Sequence, residues 1–220
     1  VVTTRPGEQG RFYRLPTERD LDAARKAAEE LERRKAAHTG PLSLVPDEPL
    51  PLQGTLGFRV QLYGMLEWGD LFTPRQALAL TTLARLVREA GERLAQEHEP
   101  GLASAVQTAL ALAVDRQANT LTSISYWNTA GEKIEGIFTR QAIPIVWDYS
   151  EASSFSGMTG GLDGALEWVI QICEANIDLD HPGSAIQNSA TVHPLPDDAA
   201  HAFITDPPYY DAVPYADLSD

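Results

Sequence analysis

Apolar residues recur at helical spacing in four long segments, which are the main elements that the sequence predicts. The first helix is expected over 17–37, where Thr17 can cap a charged segment that carries a thin apolar seam. The second begins at Thr73-Pro74-Arg75-Gln76, which combines a cap, a proline at the first helical position and a glutamine three residues after the cap. This helix is expected to end near Glu97, and two more are expected over 102–119 and 162–179.

The segments between the helices are rich in prolines, glycines and aromatic residues. Residues 40–57 contain several prolines and are predicted to form an extended linker. The aromatic residues of 58–72 are expected to seat this linker on the core, with stacking against a nucleic-acid base as the functional alternative. Residues 123–128 are predicted to form a loop or a short strand, and 131–141 to form another helix.

The last third of the chain changes character. Ser153 to Gly161 form a glycine- and serine-rich stretch without the spacing of a phosphate-binding motif, and we expect a flexible loop that approaches cofactor or DNA. The tail is predicted to contain two strands, over 185–189 and 202–205, the second of them buried. A helix that leads into such strands is typical of an α/β unit. Cys173 lies in the apolar stripe of the last helix and is expected to be buried.

The charge of the chain limits the ways in which it can bind nucleic acid. Its 220 residues carry a formal net charge of −14. A duplex-DNA binder draws most of its affinity from phosphate neutralisation, so this balance argues against a free-standing duplex binder. A local basic patch is the alternative, although acidic residues are interspersed among its members, which are Arg11, Arg14, Arg19, Arg25, Lys26, Arg33, Arg34 and Lys35. A solvated helix is the simpler interpretation of that segment, and a DNA-contacting arm is the other.

Several classes of site are disfavoured by composition. A single cysteine excludes an intrachain disulfide, and the five histidines show no spacing typical of metal ligands. No segment reaches the length of a membrane span, and no signal peptide opens the chain. We therefore expect a soluble cytoplasmic protein without a membrane partner or a bound metal.

Residues 202–209 consist of an apolar run, predicted to be a strand, and a proline motif that ends this strand. The run ends at Asp206-Pro207-Pro208-Tyr209, and neither proline can continue a strand ladder or enter a helix. A carboxylate, a rigid carbonyl and an aromatic face would then lie together at the carboxyl edge of the predicted strand. Open α/β sheets bind their ligands at this edge.

Three blocks of sequence resemble one family of enzymes. Asp206-Pro207-Pro208-Tyr209 is similar to the catalytic motif of DNA amino-methyltransferases that use S-adenosylmethionine. The whole of 206–220, together with Trp68 to Gln76 and Arg140 to Asp148, resembles a family of large DNA methylases. That family is assigned as adenine-specific and is often found near phage-defence or restriction genes. The resemblance covers most of the chain, from Arg14 to Asp220.

The resemblance implies roles for six residues. Asp206 and the Pro207 carbonyl would accept hydrogen bonds from the target amino group, Pro208 would help to fix the turn, and a flipped adenine would stack on Tyr209. Ser189 and Thr191 would lie beside the adenine end of S-adenosylmethionine, whose main binding loop is expected outside this sequence. The implied partners are a DNA substrate, bound through the complete protein, and partner proteins of a defence system.

The fold that the resemblance implies is a Rossmann-like methyltransferase with a helical insertion. The chain would be mainly α with a small α/β part at its carboxyl end. Because family members continue past the motif and carry a glycine-rich cofactor segment upstream, we expect an internal fragment that is inactive alone. Its expected parts are an N-terminal helix and proline-rich linker over 1–57, a helical insertion for target recognition over 58–160, and a partial α/β unit over 161–220.

Two other functions stay open on the sequence. The first is a non-catalytic helical interaction module of a phage-defence complex, with a degenerate methyltransferase end, which would differ from the enzyme in failing to bind the cofactor. The second is metal-dependent hydrolysis by Asp197, Asp198, Asp206 and Asp211. This second alternative is less favoured because no histidine pattern accompanies the carboxylates, and because it leaves Pro207-Pro208 unexplained.

Overall fold

Four helices form most of the regular structure, and two small antiparallel sheets complete it. The computed structural model describes residues 1–5, 7–55, 58–137, 143, 145–147, 149–157, 160–177, 183–189, 191–192, 194–209, 213 and 215. The helices are α1 (Glu18–Ala37), α2 (Pro74–Glu97), α3 (Pro100–Ala118) and α4 (Leu162–Ala175). The four long helices predicted from apolar spacing are thereby confirmed, as is the expectation of a mainly α chain.

The helices pack in chain order, each against its neighbour in the sequence. α1 packs on α2 through the buried Leu31 and through Arg34, whose Nη1 donates a hydrogen bond to Thr82 Oγ1 over 2.7 Å. The α2 and α3 helices approach closely at Gly91, where an added Cβ would collide with the Gln107 side chain of α3.

The capping box predicted for α2 is confirmed by its hydrogen bonds. The Thr73 backbone N–H donates to Gln76 Oε1 over 2.8 Å, and the Gln76 N–H donates to Thr73 Oγ1 over 3.4 Å. Gln76 is fully buried, so the cap lies inside the protein. This buried start fixes where the preceding segment turns into the helix.

Four short strands make up the two sheets. β1 (Val2–Thr3) pairs with β2 (Phe12–Tyr13), and β3 (Tyr126–Asn128) pairs with β4 (Lys133–Glu135). The second hairpin corrects the sequence analysis, which predicted a helix over 131–141; residues 138–141 lie outside the described residues. The strand that was one alternative for 123–128 is present in part, as β3.

The turn between β3 and β4 explains why a hairpin replaces the predicted helix. Asn128 Oδ1 accepts hydrogen bonds from the N–H groups of Ala130 and Gly131, each over 3.0 Å, and this arrangement closes the turn locally. Glu132 has a φ of 46°, in the left-handed region, so a helix cannot begin there. The Asn128 side chain also donates to Glu135 across the hairpin over 3.0 Å.

The main hydrophobic core lies between the linker, the first turn of α2 and the segments that follow α3. Its buried residues are Leu50, Phe58, Val60, Leu71, Ile124 and Ile143, with Met65, Trp68, Phe72, Ile137 and Ile145 packed against them. Two 3₁₀ helices, Val60–Tyr63 and Trp68–Leu71, carry several of these side chains. The expectation that the aromatic segment seats the linker on the core is therefore confirmed. The predicted division into parts at residues 57 and 160 stays a prediction.

The tail differs most from the sequence analysis. Residues 185–189 and 202–205, predicted as strands, form no strand in the described part of the chain. Phe203 is 77% exposed and Ile204 is 93% exposed, so the buried strand predicted there is wrong. A strand gains stability only from neighbours that pair with it, and the described strands all lie before residue 136. The small α/β part is thus not formed among the described residues.

Two smaller expectations about burial and membranes were also tested. Cys173 is exposed, in contrast to the predicted burial; the buried residue of α4, which packs against α3, is Ala165. None of the helices in the described ranges combines the length and the apolar character that a membrane span requires.

The core assignment makes a stability prediction for Phe58, which is 1% exposed. Phe58→Ala would leave a cavity among Leu50, Val60 and Ile124, and we expect the free energy of unfolding to fall by about 3–5 kcal/mol. The matched control is Leu112→Ala on the exposed side of α3, which should change it by less than about 0.5 kcal/mol. Urea unfolding followed by circular dichroism measures both, and equal losses would contradict the assignment.

Candidate functional site

The sequence motif lies on an exposed, extended stretch of the tail. Asp206, Pro207, Pro208 and Tyr209 belong to no helix or strand, and all four are exposed. The Tyr209 ring is accessible at 58%, and its backbone N–H donates to Tyr215 Oη over 3.2 Å. Among the described residues, nothing forms an ion pair with the Asp206 carboxylate. The motif is therefore accessible to a ligand, but it does not line the groove described below.

The two residues predicted to contact the cofactor lie close together in the tail. Ser189 Oγ and Thr191 Oγ1 are 2.8 Å apart, and the Thr191 N–H donates to Ser189 Oγ over 3.3 Å. Both residues are exposed, and Ala190 between them lies outside the described residues. Their hydroxyls bind each other, and no described hydrogen bond connects them with the motif. The structure thus brings Ser189 and Thr191 together on the exposed tail, and neither residue lines the groove described below.

A groove of about 780 Å³ lies elsewhere, between the two hairpins, the first turns of α2 and the segment 149–156. Glu151 organises its base. The Glu151 carboxylate accepts hydrogen bonds from Thr73 Oγ1 and from Tyr149 Oη, over 3.1 and 3.3 Å, and forms an ion pair with Arg75 over 2.9 Å. These contacts tie the segment after residue 148 to the capped end of α2.

The serine-rich loop forms one wall of the groove. Ser154 is buried, and its carbonyl accepts a hydrogen bond from the Leu162 N–H over 2.8 Å. The Ser153 carbonyl accepts from both the N–H and the hydroxyl of Ser156, over 3.1 and 2.8 Å. Further along, the Gln117 side chain donates to the Gly160 carbonyl. The loop expected to be flexible is therefore anchored at several points, and Met158 and Thr159 lie outside the described residues.

The two hairpins form the opposite wall. The rings of Tyr13 and Trp127 meet edge to face, with centroids 6.4 Å apart. Tyr13 Oη donates to Glu132 Oε1, and Arg11 Nε donates to the Glu132 carbonyl, each over 3.3 Å. The turn between β3 and β4 thus holds the N-terminal hairpin in place.

Burial and the neighbouring charges at the bottom of the groove shift the pKa of Tyr149. Burial is the largest cause that raises the pKa of its hydroxyl, and the negative charge of Glu151 raises that pKa further. Arg75 acts in the opposite direction, because its positive charge favours the phenolate. The Tyr149 hydroxyl therefore remains a proton donor at neutral pH.

The basic patch predicted for the N-terminal segment is largely neutralised by nearby carboxylates. Asp20, Asp22, Glu30 and Glu32 pair with six of its cations, which are Arg14, Arg25, Lys26, Arg33, Arg34 and Lys35. Hydrogen bonds from Arg33 and Arg34 lower the pKa of the Glu30 carboxyl to about 2. These pairs favour the interpretation of α1 as a solvated helix, and the DNA-contacting arm stays a prediction.

The metal-dependent alternative gains no support from the described residues. Within them, no group of three or more histidine, cysteine, aspartate or glutamate side chains is arranged to hold a metal ion. Asp197, Asp198 and Asp206 are all exposed, and Asp211 lies outside the described residues.

Most groove residues are not identifiable from the sequence patterns described above. Of the groove, the sequence analysis predicts that the serine-rich loop approaches a ligand and that Arg11 belongs to a local basic patch, but it does not bring these residues together. Trp127, Glu132 and Lys133 are missed because their segment is assigned to a loop and a helix. The signal that identifies them is Asn128 followed by Gly131, with alternating polar and apolar residues in Lys133-Ile134-Glu135.

Comparison of the chain with family models, with curated proteins and with solved structures found no match. The resemblance to DNA methylases therefore stays a prediction that rests on the three sequence blocks. Of the block 140–148, only residues 143 and 145–147 are among the described residues; of the block 206–220, 210–212, 214 and 216–220 are not.

The role of Glu151 predicts a change in the titration of Tyr149. Glu151→Gln removes a negative charge and leaves Arg75 unpaired, so we expect the pKa of Tyr149 to fall, while burial keeps it from returning fully to its ordinary value. NMR titration with ¹³C-labelled tyrosine measures this pKa, and Tyr149→Phe assigns the signal. Glu89→Gln, which removes only the partner of Arg85, is the matched control and should leave the pKa unchanged. A Tyr149 pKa that does not move in Glu151→Gln would contradict this account.

Proposed function

We propose that this chain contributes the catalytic motif of an S-adenosylmethionine-dependent DNA amino-methyltransferase, which methylates the exocyclic amino group of a flipped adenine. The methyltransferase itself would have the Rossmann-like fold that this motif accompanies, with α2 and α3 belonging to a helical insertion. The observation that carries the proposal is Asp206-Pro207-Pro208-Tyr209, together with the two other matching sequence blocks. In the structure, the four residues of this motif are accessible to a ligand.

Methylation of an exocyclic amine requires hydrogen-bond acceptors that are already fixed in position before the reaction begins. The lone pair of an exocyclic amine is delocalised into the ring, so the enzyme must hold the amino hydrogens and shift the nitrogen towards tetrahedral geometry. Asp206 and the Pro207 carbonyl can each accept one of these hydrogens. Both prolines have fixed φ, which keeps the two acceptors in place as positive charge develops on the nitrogen.

The aromatic residue after the prolines matches the need to extract the base. An amino group inside a duplex cannot be reached, so the target nucleotide must leave the stack. Tyr209 exposes its ring beside the acceptors and can stack against the extruded base, a contact worth about 1–3 kcal/mol in comparable cases. The exposure of the Tyr209 ring is consistent with this role.

The described residues do not fit S-adenosylmethionine by themselves. Ser189 and Thr191 are the residues proposed to contact it, but both are exposed, their hydroxyls bind each other, and neither lines the groove between the hairpins. The donor would therefore require further protein groups for its binding. The proposed roles of Asp206, Pro207 and Tyr209 concern only the amine and the base.

An exposed apolar surface favours a second candidate function, a helical interaction module of a defence complex. Trp168 and Ile172 lie one turn apart on α4 and are both more than half exposed, with Arg116 of α3 over the Trp168 ring at 4.5 Å. Such a surface on one helix is typical of a contact with another protein or another part of the same protein. Failure of the complete protein to bind S-adenosylmethionine would favour this module over the enzyme.

The motif predicts a large and selective loss of activity when its carboxylate is removed. In the complete protein, Asp206→Ala should lower methyl transfer to DNA by about 100-fold or more, because a preorganised acceptor is lost. Transfer of a radiolabelled methyl group from S-adenosylmethionine measures the rate. The fold should be unaffected, since the Asp206 side chain is exposed.

The matched control for this experiment is Asp197→Ala, another exposed aspartate of the same tail. It removes the same charge outside the motif and should retain the activity of the unmodified protein. Equal activities of the Asp206 and Asp197 variants would contradict the proposal.

A further inference from the structure

The groove contains an unusual number of aromatic rings for an accessible surface. Tyr13, Trp127, Tyr149 and Phe155 all line it, on three different segments of the chain. None of the four is a member of the buried core. Rings gathered in a groove, away from the core, offer flat faces to a ligand that can stack on them.

Phe155 is the most informative of these rings. Its side chain is 81% exposed although the residues on both sides of it are fixed. Ser154 is buried and bonded to Leu162, and Ser153 and Ser156 close a tight turn around the phenylalanine. An apolar ring that an anchored turn holds in water has an unfavourable free energy of hydration. Contact with a ligand removes the ring from water and so recovers that free energy.

The charges of the groove are balanced, whereas the chain as a whole is strongly acidic. The lining includes the cations Arg11, Arg75 and Lys133 and the anions Asp20, Glu132 and Glu151. Asp20 is paired with Arg14 over 2.6 Å, Glu151 is paired with Arg75, and Lys133 is paired with Glu135 over 3.1 Å. Arg11 donates through Nε to a backbone carbonyl and has no carboxylate partner among the described residues. A phosphate therefore meets less repulsion in this groove than the net charge of −14 suggests.

The lining of the groove, more than its size, distinguishes among ligands. Its volume of about 780 Å³ lies within the range of ligand pockets and accommodates a few nucleotides or a small molecule. Aromatic faces with neighbouring cations are the combination that binds single-stranded nucleic acid without regard to sequence. A duplex cannot use these faces, because its bases are already stacked on one another.

We propose that this groove binds a short segment of single-stranded DNA, with bases stacked on Phe155 and the neighbouring rings and a phosphate near Arg11. The inference rests on the proposed function for one point only, namely that the bound strand is the one from which the target base is extruded.

The test measures binding of the complete protein to a fluorescein-labelled deoxyadenylate oligomer of about 12 nucleotides by fluorescence anisotropy. Phe155→Ala should weaken binding by about 5- to 150-fold, the equivalent of one lost stacking contact. Phe155→Trp should restore it, because the face is kept while the residue changes. Since Phe155 is exposed, both variants should keep the fold, and circular dichroism verifies this.

Trp147→Ala is the matched control. Trp147 is also 81% exposed but does not line the groove, and it packs edge to face against Tyr63 at 5.6 Å. Its removal should leave binding of the oligomer unchanged. Undiminished binding in Phe155→Ala, or an equal loss in Trp147→Ala, would overturn the inference. So would a loss of S-adenosylmethionine binding in Phe155→Ala with oligomer binding intact, since the groove would then take a free nucleoside.

The experiment separates this inference from the proposed function. Asp206→Ala should abolish methyl transfer and leave the Phe155-dependent binding of the oligomer in place. If the unmodified protein transfers no methyl group yet shows that binding, the proposed function falls and the groove assignment stands. If methyl transfer is found and Phe155 has no effect on binding, the groove assignment falls alone.

Discussion

The carbonyl of Leu71 is the point on which the described structure depends most. It accepts hydrogen bonds from the Ser123 N–H, the Ser123 hydroxyl and the Thr122 hydroxyl, each over 2.8 Å, at a largely buried position. These bonds join the start of α2 to the turn after α3. From that turn Ile124 enters the core, and Ser125 bonds to the Ser150 carbonyl over 2.8 Å. The segment that carries Tyr149 and Glu151 therefore takes its position from Leu71.

The proposed function would depend on two regions that differ in structure, the groove and the tail. The groove is built on helices, caps and hairpins that hold one another through hydrogen bonds and packing. The tail that carries Asp206 exposes Phe203 and Ile204, and burying such a side chain is worth about 1.5–3 kcal/mol. A sheet that accepted this segment as a strand would gain that stabilisation, and it would also fix the direction in which Asp206 and the Pro207 carbonyl point.

The sequence was sufficient where local interactions decide the structure. The helices followed from apolar spacing, and the start of α2 followed from Thr73 and Gln76, whose side chains bond within three residues of each other. The sequence was insufficient where distant partners decide. An apolar run such as 202–205 does not reveal whether a neighbouring strand exists, and the groove joins segments more than 100 residues apart, as in the bonds of Arg11 and Tyr13 to Glu132.

Hydrogen exchange over 202–209 in the complete protein most directly tests the central proposal, that Asp206 and the Pro207 carbonyl accept hydrogen bonds from the amino group of an extruded base. The amides of Phe203, Ile204, Asp206 and Tyr209 should exchange much more slowly once S-adenosylmethionine and DNA are both added. Duplex DNA without the methyl donor is the comparison. Exchange at the rate of an unstructured chain, unchanged by either addition, would contradict the account.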